Sequence, residues 1–330
     1  MYYSIWHQTK FRYSHAVSES IMELRLQPRT EWTQHCLSFE IATAPRSRLL
    51  SYRDYLGNIV HHFNVPGQHQ ELTILARSLV EVAPFLDWPE RLLPDAWGEI
   101  DAQVHSGDYY EMLMPSDFAK PSGLLSELAA KLHATRRDDP LTVLRQLTAG
   151  IFHHFEYVPK ATRVDSPIDE ALRTGRGVCQ DFAHILITLV RQLRIPCRYV
   201  SGYLAPGEAG AGRMSTTRSS HAWVEAWLPG WGWVGFDPTI NKMVGERHIR
   251  IAVGRDYADV PPTKGVYRGE SRGELSVHVQ VTPTEGPTSL EAEFNFPIQD
   301  QWIAADQSPP EHNPDEYYQP RRQHQQQQQQ

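Results

Sequence analysis

The chain has 330 residues, 40% of them hydrophobic and 22% charged, which supplies enough apolar mass for a buried core and excludes a wholly disordered polymer. Lysine and arginine number 32 against 39 aspartates and glutamates, and a net charge of −7 offers no phosphate-tracking surface, so a nucleic-acid partner is disfavoured. No stretch approaches the roughly 18 consecutive apolar residues of a membrane-spanning helix. Residues 1–17 lack a basic start followed by an apolar run, so neither a membrane partner nor a secretory signal is expected.

Residues 1–82 carry strand signals. Apolar and polar positions alternate over 21–26 and 37–41, and Pro28, Pro45, Gly57 and Asn58 punctuate them, which predicts a small β-sandwich. His61 and His62 are adjacent in a strand and point to opposite faces, so they make a poor metal pair. Prolines 84, 89, 94 and 115 mark 83–120 as a linker rather than a packed element. Helical spacing follows. Ser122 caps a helix with Leu124, Leu125, Leu128 and Leu132, and Asp139-Pro140 opens another through Val143, Leu144 and Leu147. His153 and His154 at its end do not share a helix face.

A third helix carries Phe182, Leu186, Val190 and Leu193 at helical spacing, with Ala183 and Ile187 beside them and Pro196 as its latest end. Strands are expected over 198–204, 221–228 and 231–237, and again over 275–281, with a Gly-, Ala-, Ser- and Thr-rich loop at 205–220. The division is an N-terminal β-rich domain (1–82), a linker (83–120), a catalytic domain (121–304) and a disordered Pro/Gln-rich tail (305–330).

Cys36, Cys179 and Cys197 form neither a disulfide framework nor a CxxC zinc pair, which suits a reduced, cytoplasmic protein. Cys179 follows Gly175-Arg176-Gly177-Val178 and opens the third helix. A helix N-terminus presents unpaired N–H groups and partial positive charge, which favour a thiolate and can stabilise an oxyanion. The bland alternative is a buried cysteine packing as a small apolar residue. In 221–228 the even positions are all apolar, while the odd ones carry His221, Trp223, Glu225 and Trp227. The following run puts Trp231, Trp233, Gly235 and Asp237 on its odd face. A three-residue turn at Leu228-Pro229-Gly230 would pair Trp227 with Trp231 and set His221 opposite Asp237, whereas a two-residue turn would send Asp237 to the other face. A thiolate that attacks a carbonyl, an imidazole that moves its proton and a carboxylate that orients the ring form a coherent trio.

The segments 177–183, 195–203, 221–225 and 236–239, in that order, resemble the bacterial transglutaminase-like superfamily, as do Tyr157-Val158-Pro159 and Thr162 upstream. The first eighty or so residues look like the N-terminal region that accompanies many bacterial members. The resemblance implies an α+β fold: a papain-like core, with the cysteine helix packed on an antiparallel sheet, preceded by the N-terminal β-sandwich. It also implies Cys179 as nucleophile, His221 as general base and acid, and Asp237 as orienting carboxylate. The substrate it implies is a peptide or protein amide, with hydrolysis slightly favoured over amine transfer because water is always available and no amine pocket is legible. A binding scaffold that retains the fold without turnover is the competing class. Gln180 is a candidate oxyanion donor and Trp223 a candidate cleft wall; Asp181 is expected to stabilise the helix start, Cys197 to be inert, and His184, off the Cys179 face, not to be the base. No cofactor is expected, and the sixteen histidines show no metal-ligand spacing.

Overall fold

The computed structural model describes residues 1–84, 87–207 and 220–286. The alternation that starts the chain runs on much further than a short strand. In Tyr2–Leu24 (β1) the side chains of Ile5, His7, Thr9, Phe11 and Tyr13 turn inward while their neighbours lie outward. β1 pairs antiparallel with Ile59–Val82 (β4), flanked by Gln34–Ala44 (β2) and Leu50–Arg53 (β3). Register shifts between Arg12, Val17 and Glu19 break the ladder, the position at which such irregularity bends a ribbon. Phe11, Leu72 and Ile74 from one side of the break then share a core with Met22, Leu24, Phe63 and Val65 from the other. The N-terminal strand-rich region is therefore one sheet built largely on two long, continuous strands.

Among the described residues, five α-helices and a second large sheet follow. Residues 83–120 are not the unpacked linker that their prolines suggest: Ala96–Ser106 (α1) is a helix, and Ile100 and Ala119 are fully buried in the main core. Trp97, Ile100 and Val104 recur at helical spacing, a signal that the surrounding prolines obscure in sequence. Gly123–Lys131 (α2) starts where Ser122 accepts the Leu125 N–H, and Pro140–His154 (α3) starts where Asp139 accepts from Leu141 and Thr142. Glu156–Tyr157 (β5) lies parallel to Arg176–Gly177 (β6), bracketing Ile168–Thr174 (α4). Cys179–Gln192 (α5) is buried from Cys179 to Arg191.

The second sheet comprises Cys197–Leu204 (β7), Ser220–Leu228 (β8), Gly232–Asp237 (β9), Lys242–Met243 (β10) and His248–Gly254 (β11), in the antiparallel order β10-β9-β8-β7-β11. Ala222, Val224, Ala226 and Leu228 share a core with Phe182, Leu186 and Val190 of α5. The last strands, Thr263–Arg268 (β12) and Gly273–Thr284 (β13), return to pair with β1. The C-terminal part of the expected 121–304 unit thus belongs to the N-terminal sheet, with Leu24 paired to Thr263 and Glu19 to Arg268, contacts that local periodicity does not encode.

Tyr3, Ile5, Val80 and Val82 pack against Tyr203, Ile249 and Ile251, joining the two sheets. The outer edge of β11 is met by two side-chain amides. Gln34 accepts the Arg250 N–H and donates to its carbonyl, both at 2.8 Å, and Asn58 does the same for Val253, also at 2.8 Å. These amides satisfy edge groups that would otherwise be open to another strand. Among the described residues no helix is long and apolar enough to cross a membrane. Most of the 205–220 loop and all of the 305–330 tail lie outside the described residues.

Candidate active site

Cys179 is the first residue of α5, preceded by Val178 in extended conformation. Asp181 Oδ2 reaches back to accept the Val178 N–H at 2.8 Å and also accepts the Thr162 hydroxyl. The first turn is therefore closed by its third residue, which fixes the direction of the thiol. Gly177 is required for this closure, since a Cβ there would lie 2.9 Å from Asp181 Oδ2 and 3.1 Å from the Phe182 ring. Burial raises the Asp181 pKa to about 6 against the pull of its two donors. Asp181 is thus the helix-start residue that the sequence suggests.

His221 lies near the start of β8 and Asp237 at the end of β9. His221 Nε2 lies 2.6 Å from Asp237 Oδ2, and the Cys179 thiol acts on the same imidazole, helping to raise its pKa. With Nε2 held by Asp237, the buried Nδ1, which makes no hydrogen bond, is the nitrogen available to exchange a proton with the sulfur. Burial disfavours charge on the His221 ring, yet the Asp237 carboxylate outweighs it and raises the pKa to about 10. Burial likewise opposes the Asp237 charge, but His221 and His248 hold that carboxyl well below the usual carboxylate range. The ring is therefore protonated at neutral pH, with the Cys179 thiol beside it.

The hairpin differs from its expected register. Leu228 pairs with Gly232 and Trp227 with Trp233, so Asp237 sits across from Trp223 and reaches His221 diagonally. The Trp231 N–H bonds to the Leu228 carbonyl across Pro229-Gly230, and Gly230 and Gly232 both adopt positive φ, +74° and +70°. The three-residue loop is therefore Pro229-Gly230-Trp231 rather than Leu228-Pro229-Gly230, which moves the turn one residue along the chain and every pairing by two. The slip is even, so His221 and Asp237 keep the same face.

One amide hydrogen of Gln180 goes to the Val164 carbonyl at 2.8 Å, tying α5 to the preceding loop. Trp223 is fully buried, among Val200, Val244 and Val253, and is no cleft wall; its ring packs on the imidazoles of His221 and His248. Gly202 makes room for it, because a Cβ there would lie 2.2 Å from the Ile249 carbonyl and 2.5 Å from the indole. His184 is a buried neutral acceptor of the Tyr257 N–H, with a pKa lowered to about 3 by burial and Arg191, and Cys197 is fully buried with its pKa raised to about 11 by burial.

His248 was not singled out in the sequence. The chain passes from β10 at one sheet edge to β11 at the other, and His248, the first residue of β11, meets Asp237 on the way. Its Nε2 lies 3.1 Å from Asp237 Oδ2. The ligand atoms of His221, Asp237 and His248 lie within 4.8 Å of one another. Each imidazole-to-carboxylate gap is a hydrogen bond. The 245–248 turn carries the only local hint, a glycine followed three residues later by the histidine.

A buried thiol on a helix start, facing an imidazole and a carboxylate from an antiparallel sheet, defines the papain-like class of α+β folds. The family model of the transglutaminase-like superfamily matches residues 127–238, and that of the bacterial transglutaminase-like N-terminal region matches 3–81. An uncharacterized protein of Mycobacterium leprae is 33% identical over 276 residues, covering 84% of this chain and 96% of its own. The chain belongs to the transglutaminase-like superfamily, with the bacterial N-terminal region ahead of the core. The structure of a candidate cysteine protease from Cytophaga hutchinsonii shares the fold at a TM-score of 0.67 and 20% identity, over 87% of this chain and 92% of that one. A protein-glutamine gamma-glutamyltransferase of Pseudomonas aeruginosa is 33% identical over 129 residues, 36% of this chain and 19% of that protein.

Proposed function

We propose that the protein is a thiol acyl-transfer enzyme that opens an amide or isopeptide bond of a peptide or protein through an acyl-enzyme on Cys179. The observation that carries this is the shared imidazole: His221 is held by Asp237 at 2.6 Å on one nitrogen and meets the Cys179 thiol. The thiolate attacks the carbonyl carbon, and the helix-start N–H groups are placed to stabilise the oxyanion. His221 then gives its proton to the leaving amine. In the second half-reaction it takes a proton from the incoming water or amine, which attacks the thioester and releases Cys179. Asp237 holds the ring in place and stays ionised throughout.

The names of two relatives point to different acceptors, glutamine acyl transfer in the Pseudomonas protein and proteolysis in the Cytophaga one. Both routes share the acyl-enzyme, and hydrolysis is favoured because water needs no pocket of its own. The test is the pH dependence of iodoacetamide labelling at Cys179, read by peptide mass spectrometry. Rapid labelling well below the range of an ordinary thiol, slowed at least tenfold in His221→Ala, is expected. Labelling indifferent to His221 would leave a binding scaffold. With p-nitrophenyl acetate as acyl donor, release of acetate in the presence of cadaverine supports hydrolysis, and acetyl-cadaverine as the main product overturns that preference.

A further inference from the structure

His248 is buried, and both of its ring nitrogens are engaged. The Gly245 N–H donates to Nδ1 at 3.2 Å, so Nδ1 is the unprotonated acceptor. The ring proton therefore sits on Nε2, which donates to Asp237 Oδ2 at 3.1 Å. The same oxygen takes the His221 Nε2–H at 2.6 Å, while Oδ1 takes the Thr239 N–H at 2.9 Å. Trp223 packs edge-on to the His248 ring at 5.2 Å between centroids, which restricts its rotation. A histidine at this place can do what a surface residue cannot: present one N–H in a fixed direction while remaining neutral.

We propose that His248 is a positioning residue, a neutral donor of fixed tautomer that holds Asp237 Oδ2 in place and shares that oxygen with His221. This rests on the triad reading above. Two donors on one oxygen each bind it less strongly than one alone, so His248 moderates the grip of Asp237 on the imidazolium. The groups facing His248 are Asp237 from β9, His221 from β8 and Arg250 from its own strand. Arg250 is already paired with Glu225. Burial and the His221 and Arg250 charges keep the His248 ring neutral against the pull of Asp237.

The experiment uses the full chain and iodoacetamide labelling of Cys179 across pH, in wild type, His248→Phe and His248→Gln. Loss of the donor leaves Oδ2 to His221 alone. The upper inflection, where His221 loses its proton, should move upward by about one pH unit in His248→Phe. His248→Gln, whose amide can still donate to Oδ2, should restore the wild-type inflection. An unmoved or downward-shifted inflection in His248→Phe overturns the proposal, as does equal behaviour of both variants. If wild-type labelling does not respond to His221→Ala, the triad reading falls and takes this one with it, an outcome distinct from failure of His248 alone. A second measurement needs no variant: ¹⁵N-histidine NMR of the native protein should show His248 with a protonated Nε2 and a bare Nδ1 throughout the titration of His221. A protonated Nδ1, or a His248 that titrates with His221, refutes the proposal.

Discussion

Glu225→Gln is the perturbation with the clearest arithmetic. Glu225 has no exposed surface, yet it carries a full charge between two arginines. Oε2 accepts from Arg198 Nε at 2.8 Å and from Nη2 at 2.7 Å, and Oε1 is paired with Arg250. Burial works against the carboxylate, but the two guanidiniums outweigh it and lower the pKa from 4.5 to about 2. That difference corresponds to about 3 kcal/mol of folded-state stability at pH 7, near the lower end of what breaking a buried ion pair costs. Because the folded pKa is depressed, the contribution is complete above about pH 4.5 and is lost as pH falls toward 2. Urea unfolding followed by tryptophan fluorescence should therefore show wild type more stable than Glu225→Gln by about 3 kcal/mol at pH 7 and by about 1.4 kcal/mol at pH 3. Charge-independent losses would shift both figures equally and leave their difference intact. A gap below about 1 kcal/mol at pH 7, or one that widens on acidification, would refute the account. The network also ties β7 and β8 to β11, the strand that carries His248.

Gly202→Ala should cost about 1–3 kcal/mol in urea unfolding, because its Cβ meets the Ile249 carbonyl as well as the Trp223 indole and neither can retreat freely. It should also slow Cys179 labelling, since both neighbours support the imidazoles. Asp139→Ala removes the acceptor for Leu141, Thr142 and Leu92 N–H groups, and should lower stability by about 1–2 kcal/mol in the same assay while leaving the labelling profile of Cys179 unchanged. Cys197, buried with a raised pKa, should label with iodoacetamide only as fast as the protein unfolds globally, which hydrogen exchange of β7 can calibrate.

The cysteine, histidine and aspartate were legible because each sits in a strong local pattern: glycines before a helix, and an alternating strand of apolar and aromatic residues. The helix starts at Ser122 and Asp139 were legible for the same reason, since a cap bonds to backbone two or three residues away. The pairing of His221 with Asp237 survived an error in register only because the slip was even. The position of the turn, with left-handed Gly230 and Gly232 in and beside it, rather than the face pattern, decided which residues stand opposite. Residues 83–120 show the reverse failure, where prolines outvoted the spacing of Trp97, Ile100 and Val104.

From its sequence alone the chain determined its α+β class, the caps of two helices and the identity of the thiol, imidazole and carboxylate, because these depend on neighbours within a turn of helix or a pair of strand residues. The tertiary structure decided the rest: β12 and β13 closing the first sheet, Gln34 and Asn58 covering the edge of β11, Trp223 buried under the imidazoles, and His248 reaching Asp237. Each of those contacts is satisfied by geometry between segments distant in sequence or in sheet order. Hydrophobic periodicity fixes which side of an element turns inward, but not which partner it finds there.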